Sequence, residues 1–215
     1  MPEHILVIGA TGAVGVQFCN EALSQGHNLT LLVRNASKLP NNIRNDPRVK
    51  ITEGQLNDEK VLRSVTGSGA GIFVSFAGPT HKPITDCIKL IFPLLIENKF
   101  KRAMVLGTAS FTAPQDKGAL KWEALIVLVK IIGGDAFQEF NGLGEFLTSQ
   151  DGQDLAWTLF RVPNLGNGVA APVSATYTGS GSDGLFLSRK SVVAWVFKEM
   201  GQGSEWIRKA PALSN

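Results

Sequence analysis

The sequence predicts an α/β fold: a doubly wound parallel sheet of six or seven strands with helices on both faces. Three observations carry that expectation. The chain opens on a short apolar run, Ile5 to Ile8, with no polar face, which suits a central parallel strand covered on both sides. Strand-like and helix-like segments then alternate along the chain, the pattern of strand, crossover helix and parallel strand. The length, 215 residues, is enough for one such domain with a full core and too short for two of the usual size. Residues 1–215 are therefore read as a single domain.

After the opening run, Gly9, Gly12 and Gly15 stand at the spacing G-x-x-G-x-x-G, and Val14, Phe18, Ala22 and Leu23 continue at helical intervals. A strand that turns sharply into a helix leaves unpaired N–H groups and the positive end of the helix dipole at the turn, which makes an anion site. Glycine spacing alone also marks ordinary tight turns. Its place directly after an apolar strand and before an amphipathic helix is the context of a Rossmann-type dinucleotide site, where the glycines admit a pyrophosphate and let helix and strand pack closely. Gly26 ends the helix, and Asn28 to Val33 reads as a second strand ending at Arg34. Where an NAD site places an acid for the ribose hydroxyls, this chain has Arg34, with Lys38 a turn further on. A guanidinium and an ammonium there suit a 2′-phosphate and point to NADP(H); the plainer alternative is a solvated arginine at a strand end.

Pro40 to Pro47 reads as a polar loop, Val49 to Gly54 as a third strand, and Asp58 as the N-cap of a helix over Glu59 to Val65. Gly71 to Phe76 makes a fourth strand, followed by Ala77-Gly78-Pro79. Ile84 to Asn98 is helical in pattern despite Pro93. Arg102 to Gly107 is the fifth strand; the hydroxyls of Thr108 and Ser110 follow it, and ligands of open α/β sheets bind beyond the carboxyl ends of strands. Trp157 to Val162 is the sixth, closed by Pro163. The tail holds a Gly/Ser-rich turn at Gly179 to Gly184, a short strand near Leu185 to Leu187 and a helix from Ser191 to Met200. No internal repeat is present.

Composition excludes several classes. The hydrophobic fraction is 44% and the charged fraction 18%, ordinary for a globular chain, and the net charge of +3 is small and interleaved, which argues against a nucleic-acid or membrane partner. Cys19 and Cys87 have no C-x-x-C neighbour and read as reduced, buried thiols. The four-residue opening run is too short for a signal peptide and the run from Ala124 too short to span a bilayer, so a cytoplasmic protein, monomer or dimer, is expected.

Taken together, the segments G-A-T-G-A-V-G, L-V-R-N-A-S-K-L, F-A-G-P, V-L-G-T-A-S, G-E-F-L, A-W-T-L-F-R-V-P-N-L and L-S-R-K-S-V-V-A resemble the NmrA-like, NAD(P)-binding branch of the atypical short-chain dehydrogenase/reductases. The likeness covers nearly the whole chain, which is also similar in size to the compact flavin and biliverdin reductases of that group. The resemblance implies that Gly9, Thr11, Gly12, Ala13 and Val14 hold a pyrophosphate, Arg34 and Lys38 a 2′-phosphate, and Leu56 the adenine. It further implies that Ala77, Gly78 and Thr108 line the ribose and nicotinamide, with Pro163 near the carboxamide. Two departures matter. Gly54-Gln55 stands where many relatives carry Gly-Asp, and the Tyr-x-x-x-Lys of the wider superfamily is replaced by Phe137 and Asn141, neither of which can donate a proton as tyrosine does.

If hydride transfer occurs, the acid is Ser110, Thr108, His81 or water, or the acceptor is a flavin or quinone that protonates from solvent. Ser110 serves equally as a turn-former, His81 as an ordinary loop histidine, and Trp122, Phe137 and Phe140 either as an apolar lid or as plain core. Three readings stay open: an NADPH-dependent reductase of a small apolar, quinoid, flavin or carbonyl substrate; a non-catalytic sensor of NADP(H); and a non-redox isomerase or cyclase. Residues 111–134 and 166–190 are expected to cover the substrate.

Overall fold

The computed structural model describes residues 1–78, 84–119, 122, 134–150 and 154–215. An eight-stranded sheet runs in the order β3, β2, β1, β4, β5, β6, β10, β8. Its strands are β1 (His4–Ile8), β2 (Asn28–Val33), β3 (Val49–Glu53), β4 (Ile72–Ser75), β5 (Arg102–Thr108), β6 (Ala156–Val162), β8 (Ser174–Thr176) and β10 (Ala212–Ser214). Neighbours pair in parallel as far as β10, and β8 closes the edge antiparallel to it. A separate parallel ribbon joins β7 (Asn164–Gly166) to β9 (Phe186–Ser188).

The strand order reverses between β1 and β4, so connections leave the middle of the sheet in opposite directions. Right-handed crossovers then place helices on both faces. Helix α1 (Ala13–Ser24) packs against α6 (Arg189–Glu199), while α3 (Glu59–Thr66), α4 (Ile84–Glu97) and α5 (Asp135–Thr148) pack side by side. Covering both faces requires apolar side chains on both. Ile5, Leu6, Val7 and Ile8 are all fully buried, as are Val74, Ala103 and Met104 on the strands beyond. The fold is the doubly wound parallel sheet expected, widened by β10 and β8.

Local differences from the sequence reading have local causes. The stretch Pro40 to Pro47 is not all loop: α2 (Asn41–Arg44) makes one helical turn there, opened by the Pro40 carbonyl, which accepts from the Ile43 and Arg44 N–H groups at 3.1 and 2.9 Å, and seated by the fully buried Ile43. The last helix begins at Arg189 rather than Ser191, because the Ser188 hydroxyl caps it by accepting from the Ser191 N–H at 3.0 Å. The short tail strand lies one residue later than expected, at Phe186–Ser188. Helix α4 continues through Pro93. Both cysteines are buried, and burial pushes their thiols up to about 12. Among the described residues, no helix is long and apolar enough to cross a membrane.

Two arginines lie wholly inside. Arg102, at the start of β5, donates to the Ala156 and Glu199 carbonyls and to the Thr158 hydroxyl; burial lowers its pKa to about 10. Arg161, near the end of β6, forms a forked pair with Asp116, at 2.6 and 2.8 Å, and also donates to the Phe111 and Ala210 carbonyls. That pair fixes the loop after β5 to the end of β6, beside the candidate site.

Candidate functional site: a cleft along the carboxyl ends of the strands

The site begins where β1 hands over to α1. Gly9 has φ +78°, and a Cβ there would fall 2.5 Å from the Ala77 backbone nitrogen, so only glycine lets this turn lie against the end of β4. Gly15 serves closeness instead: a Cβ would stand 2.2 Å from the Gly9 carbonyl oxygen, so its absence lets the first helical turn settle onto the strand end. The Gly12 N–H donates to that carbonyl at 3.1 Å and closes the turn. Gly12 is also the N-cap of α1, with no side chain to cap the helix and no acid in its first turn. By contrast, Asp58 caps α3 and Ser188 caps α6. The free N–H groups and positive dipole of α1 are therefore left for an anion from outside the chain.

A cleft of about 280 Å³ runs from this turn across β2 and β3 on one side and β4 on the other. Of the residues expected to hold a dinucleotide, Gly9, Thr11, Gly12, Arg34, Lys38, Leu56, Ala77 and Gly78 line it together, joined by Gln55 and Ile84. Ala13 and Val14 form the start of α1 behind the turn, where their contribution is backbone N–H rather than wall. Arg34 and Lys38 are exposed, and neither forms an ion pair among the described residues. The loop that carries them is tied at two points. The Asn35 side chain accepts from the Ser37 N–H at 2.8 Å, and the Glu53 carboxylate accepts from the Ala36 N–H at 2.6 Å. Two unpaired cations on a braced loop fit a phosphate group better than they fit two ribose hydroxyls.

Along the same edge of the sheet, past the ends of β5 and β6, lies a smaller cavity of about 180 Å³. Thr108, Ser110 and Pro163 line it, together with Trp122, Phe137 and Phe140. Ala109, Ala136, Val162 and Asn164 complete the wall, so the described lining carries no charged side chain. The Thr108 and Ser110 hydroxyls share a short hydrogen bond of 2.5 Å. The two positions that replace the superfamily's Tyr/Lys pair sit on α5: Phe137 enters the wall, and the Asn141 amide is turned back to donate to the Phe137 carbonyl at 2.8 Å. Tyr177 packs on Trp206 and lines neither space. His81 lies outside the described residues, as does most of the loop 111–134 beyond residue 119.

Several contributors had no signal in the sequence. Glu53 reaches across from β3 to brace the Arg34 loop, and Asn164 lines the cavity from the ribbon beyond β6. Most distant is Asp183, buried in the tail, whose carboxylate accepts from the Trp122 indole N–H. Those two residues are 61 positions apart, a separation over which no spacing rule operates.

Comparison with known proteins places this geometry. The model of a protein family described as NAD(P)H-binding matches residues 9–202. No curated protein matches. Among solved structures, the chain is similar to a wide-type short-chain dehydrogenase/reductase from Veillonella parvula in complex with NADP, with TM-score 0.80 and 18% identity over 100% of this chain and 95% of that one. It is similar to anaerobillin reductase from Escherichia coli O157:H7, with TM-score 0.78 and 17% identity over 98% and 96%. A third similar structure is an oxidoreductase from Lactococcus lactis, with TM-score 0.73 and 16% identity over 99% and 90%.

Proposed function

The chain belongs to the NAD(P)H-binding family, and on that premise we propose that it is an NADPH-dependent reductase of a small, uncharged, planar acceptor, quinoid or flavin-like, in preference to a simple ketone. The observation that carries the reading is the cavity further along the same sheet edge as the dinucleotide cleft, whose described lining is mostly apolar and carries no charged side chain.

The N-terminus of α1 and the Thr11–Gly12 turn bind the pyrophosphate, while Arg34 and Lys38 select the 2′-phosphate. Leu56 gives the adenine an apolar wall, and Ala77 and Gly78 leave room for a ribose beside β4. When bound, a reduced nicotinamide would supply the hydride, with Ala77, Gly78, Thr108 and Pro163 as the residues that would hold its end of the dinucleotide. Trp122, Phe137 and Phe140 exclude water and admit a flat apolar ring.

The proton balance decides between acceptors. Reduction of a ketone puts charge on an alkoxide, a strong base that needs an acid close by. The described lining offers only the hydroxyls of Thr108 and Ser110, bonded to each other. A reduced quinone or flavin spreads its charge over a conjugated ring and takes its proton from water. The hydroxyl pair then orients and hydrogen-bonds the acceptor oxygen rather than acting as a strong acid.

The test is NADPH consumption measured against quinones, flavins and ketones. Turnover of the first two groups with little or none of the third supports the reading. A chain that binds NADPH tightly and oxidises it with none of them is a sensor instead.

A further inference from the structure

We propose that Asp183 is a positioning residue which holds Trp122 as a fixed wall of the Thr108–Pro163 cavity and so sets its preference for flat, uncharged ligands; this rests on reading that cavity as the acceptor site. Asp183 touches neither cleft nor cavity. It is 6% exposed, and its carboxylate accepts from the Trp122 indole N–H, from the Gly179 N–H at 3.1 Å and from the Gly181 N–H at 2.8 Å. The turn that carries it is itself anchored. The Lys117 N–H donates to the Thr178 carbonyl at 2.8 Å, and the Thr178 N–H donates to Asp116 at 2.9 Å, the same carboxylate that pairs with buried Arg161. Two buried carboxylates thus hold the consecutive amides of Thr178 and Gly179, and the chain runs without a break from β6 through Arg161, Asp116 and Asp183 to Trp122.

The consequence lies in the ring. An indole is amphipathic, and its single N–H must find an acceptor when buried; Trp122 is 3% exposed and finds it in Asp183, which is not among the residues that line the cavity. Its apolar surface is left for the ligand. Without that acceptor, the indole N–H has to seek a partner elsewhere, and this wall of the cavity loses its fixed orientation.

The experiment compares Asp183→Leu, which removes the acceptor, with Asp183→Asn, which keeps one, using NADPH and 1,4-naphthoquinone as probes. Two-dimensional ¹H–¹⁵N spectra follow the indole N–H groups of the four tryptophans, with Trp122→Phe assigning its resonance. Asp183→Leu is expected to shift the Trp122 resonance and raise KM for the quinone about tenfold, with kcat and the NADPH Kd little changed, while Asp183→Asn stays near wild type. Trp122→Phe, which keeps an apolar ring and lacks the donor, guards against a folding defect in Asp183→Leu and should raise the same KM. An unmoved Trp122 resonance, a KM unchanged in Asp183→Leu and Trp122→Phe, or an Asn variant as impaired as the Leu variant overturns the proposal. If the wild type reduces no acceptor, the reductase reading fails by itself, and naphthoquinone binding followed by tryptophan quenching replaces KM: weakening of about tenfold in Asp183→Leu sustains the positioning role. A wild type that neither reduces nor binds naphthoquinone overturns both.

Discussion

At the scale of single residues, the site divides into groups whose role follows from position and groups whose role follows from partners. Thr108 and Ser110 belong to the first kind, because two hydroxyls at and just past the carboxyl end of a central strand of a doubly wound sheet face whatever binds at that edge. Their mutual hydrogen bond of 2.5 Å was not legible, since residues two apart in an extended strand share a face but stand about 7 Å apart, and the hydroxyls meet only if the backbone bends after the strand. This pairing leads to a specific expectation. If Ser110 orients a quinone oxygen and water supplies the proton, Ser110→Ala lowers kcat by less than about tenfold, whereas loss of a true general acid costs about 10² to 10⁴. Steady-state rates with one quinone distinguish the two. Arg161 and Asp116 belong to the second kind. An arginine inside the strand W-T-L-F-R-V breaks its apolar pattern, yet only the fold shows it fully buried and forked onto a carboxylate 45 positions away.

At the scale of elements, the β1–α1 turn was the most legible part of the chain. An apolar run, a glycine needing positive φ and a glycine needing close approach follow one another within eleven residues, and each constraint is local. Gly15→Ala should therefore be costly. Its new Cβ would meet backbone at 2.2 Å, which cannot swing aside as a side chain can, so the first turn of α1 must lift from β1. Destabilisation of about 1–3 kcal/mol in urea titrations is expected, with NADPH affinity falling alongside. The one-turn helix α2 was less legible because four residues give too few positions to reveal a period. The widening of the sheet by β10 and β8 escaped for a related reason: strands of three residues carry almost no alternation, and their places are assigned by pairing partners rather than by their own sequence.

At the scale of the whole molecule, stability should depend on pH in a direction set by two histidines. His27 accepts from the Glu3 N–H at 2.9 Å and stacks on Phe197, and His4 hydrogen-bonds the Thr30 hydroxyl at 2.9 Å; burial, the largest cause for both, holds their pKa values below the ordinary 6.5. The unfolded chain therefore binds more protons than the folded one just below that value. Their stabilisation is complete above about pH 6.5 and is lost as pH falls through the lower folded values, so the urea midpoint should drop between about pH 7 and pH 5 and drop less in a His27→Gln variant. Sheet order, both cavities and the path of the dinucleotide cleft all follow from one topology, in which β1 and β4 part at the centre and leave their carboxyl ends open. In the reading proposed above, a phosphate-bearing dinucleotide binds along that edge with its extra charge held by Arg34. Calorimetric titration of the wild type and of Arg34→Glu with NADPH and NADH tests it most directly. The wild type should favour NADPH, and the variant should lose at least about tenfold of that preference. Equal binding of the two cofactors by the wild type, or a preference untouched by the substitution, would contradict it.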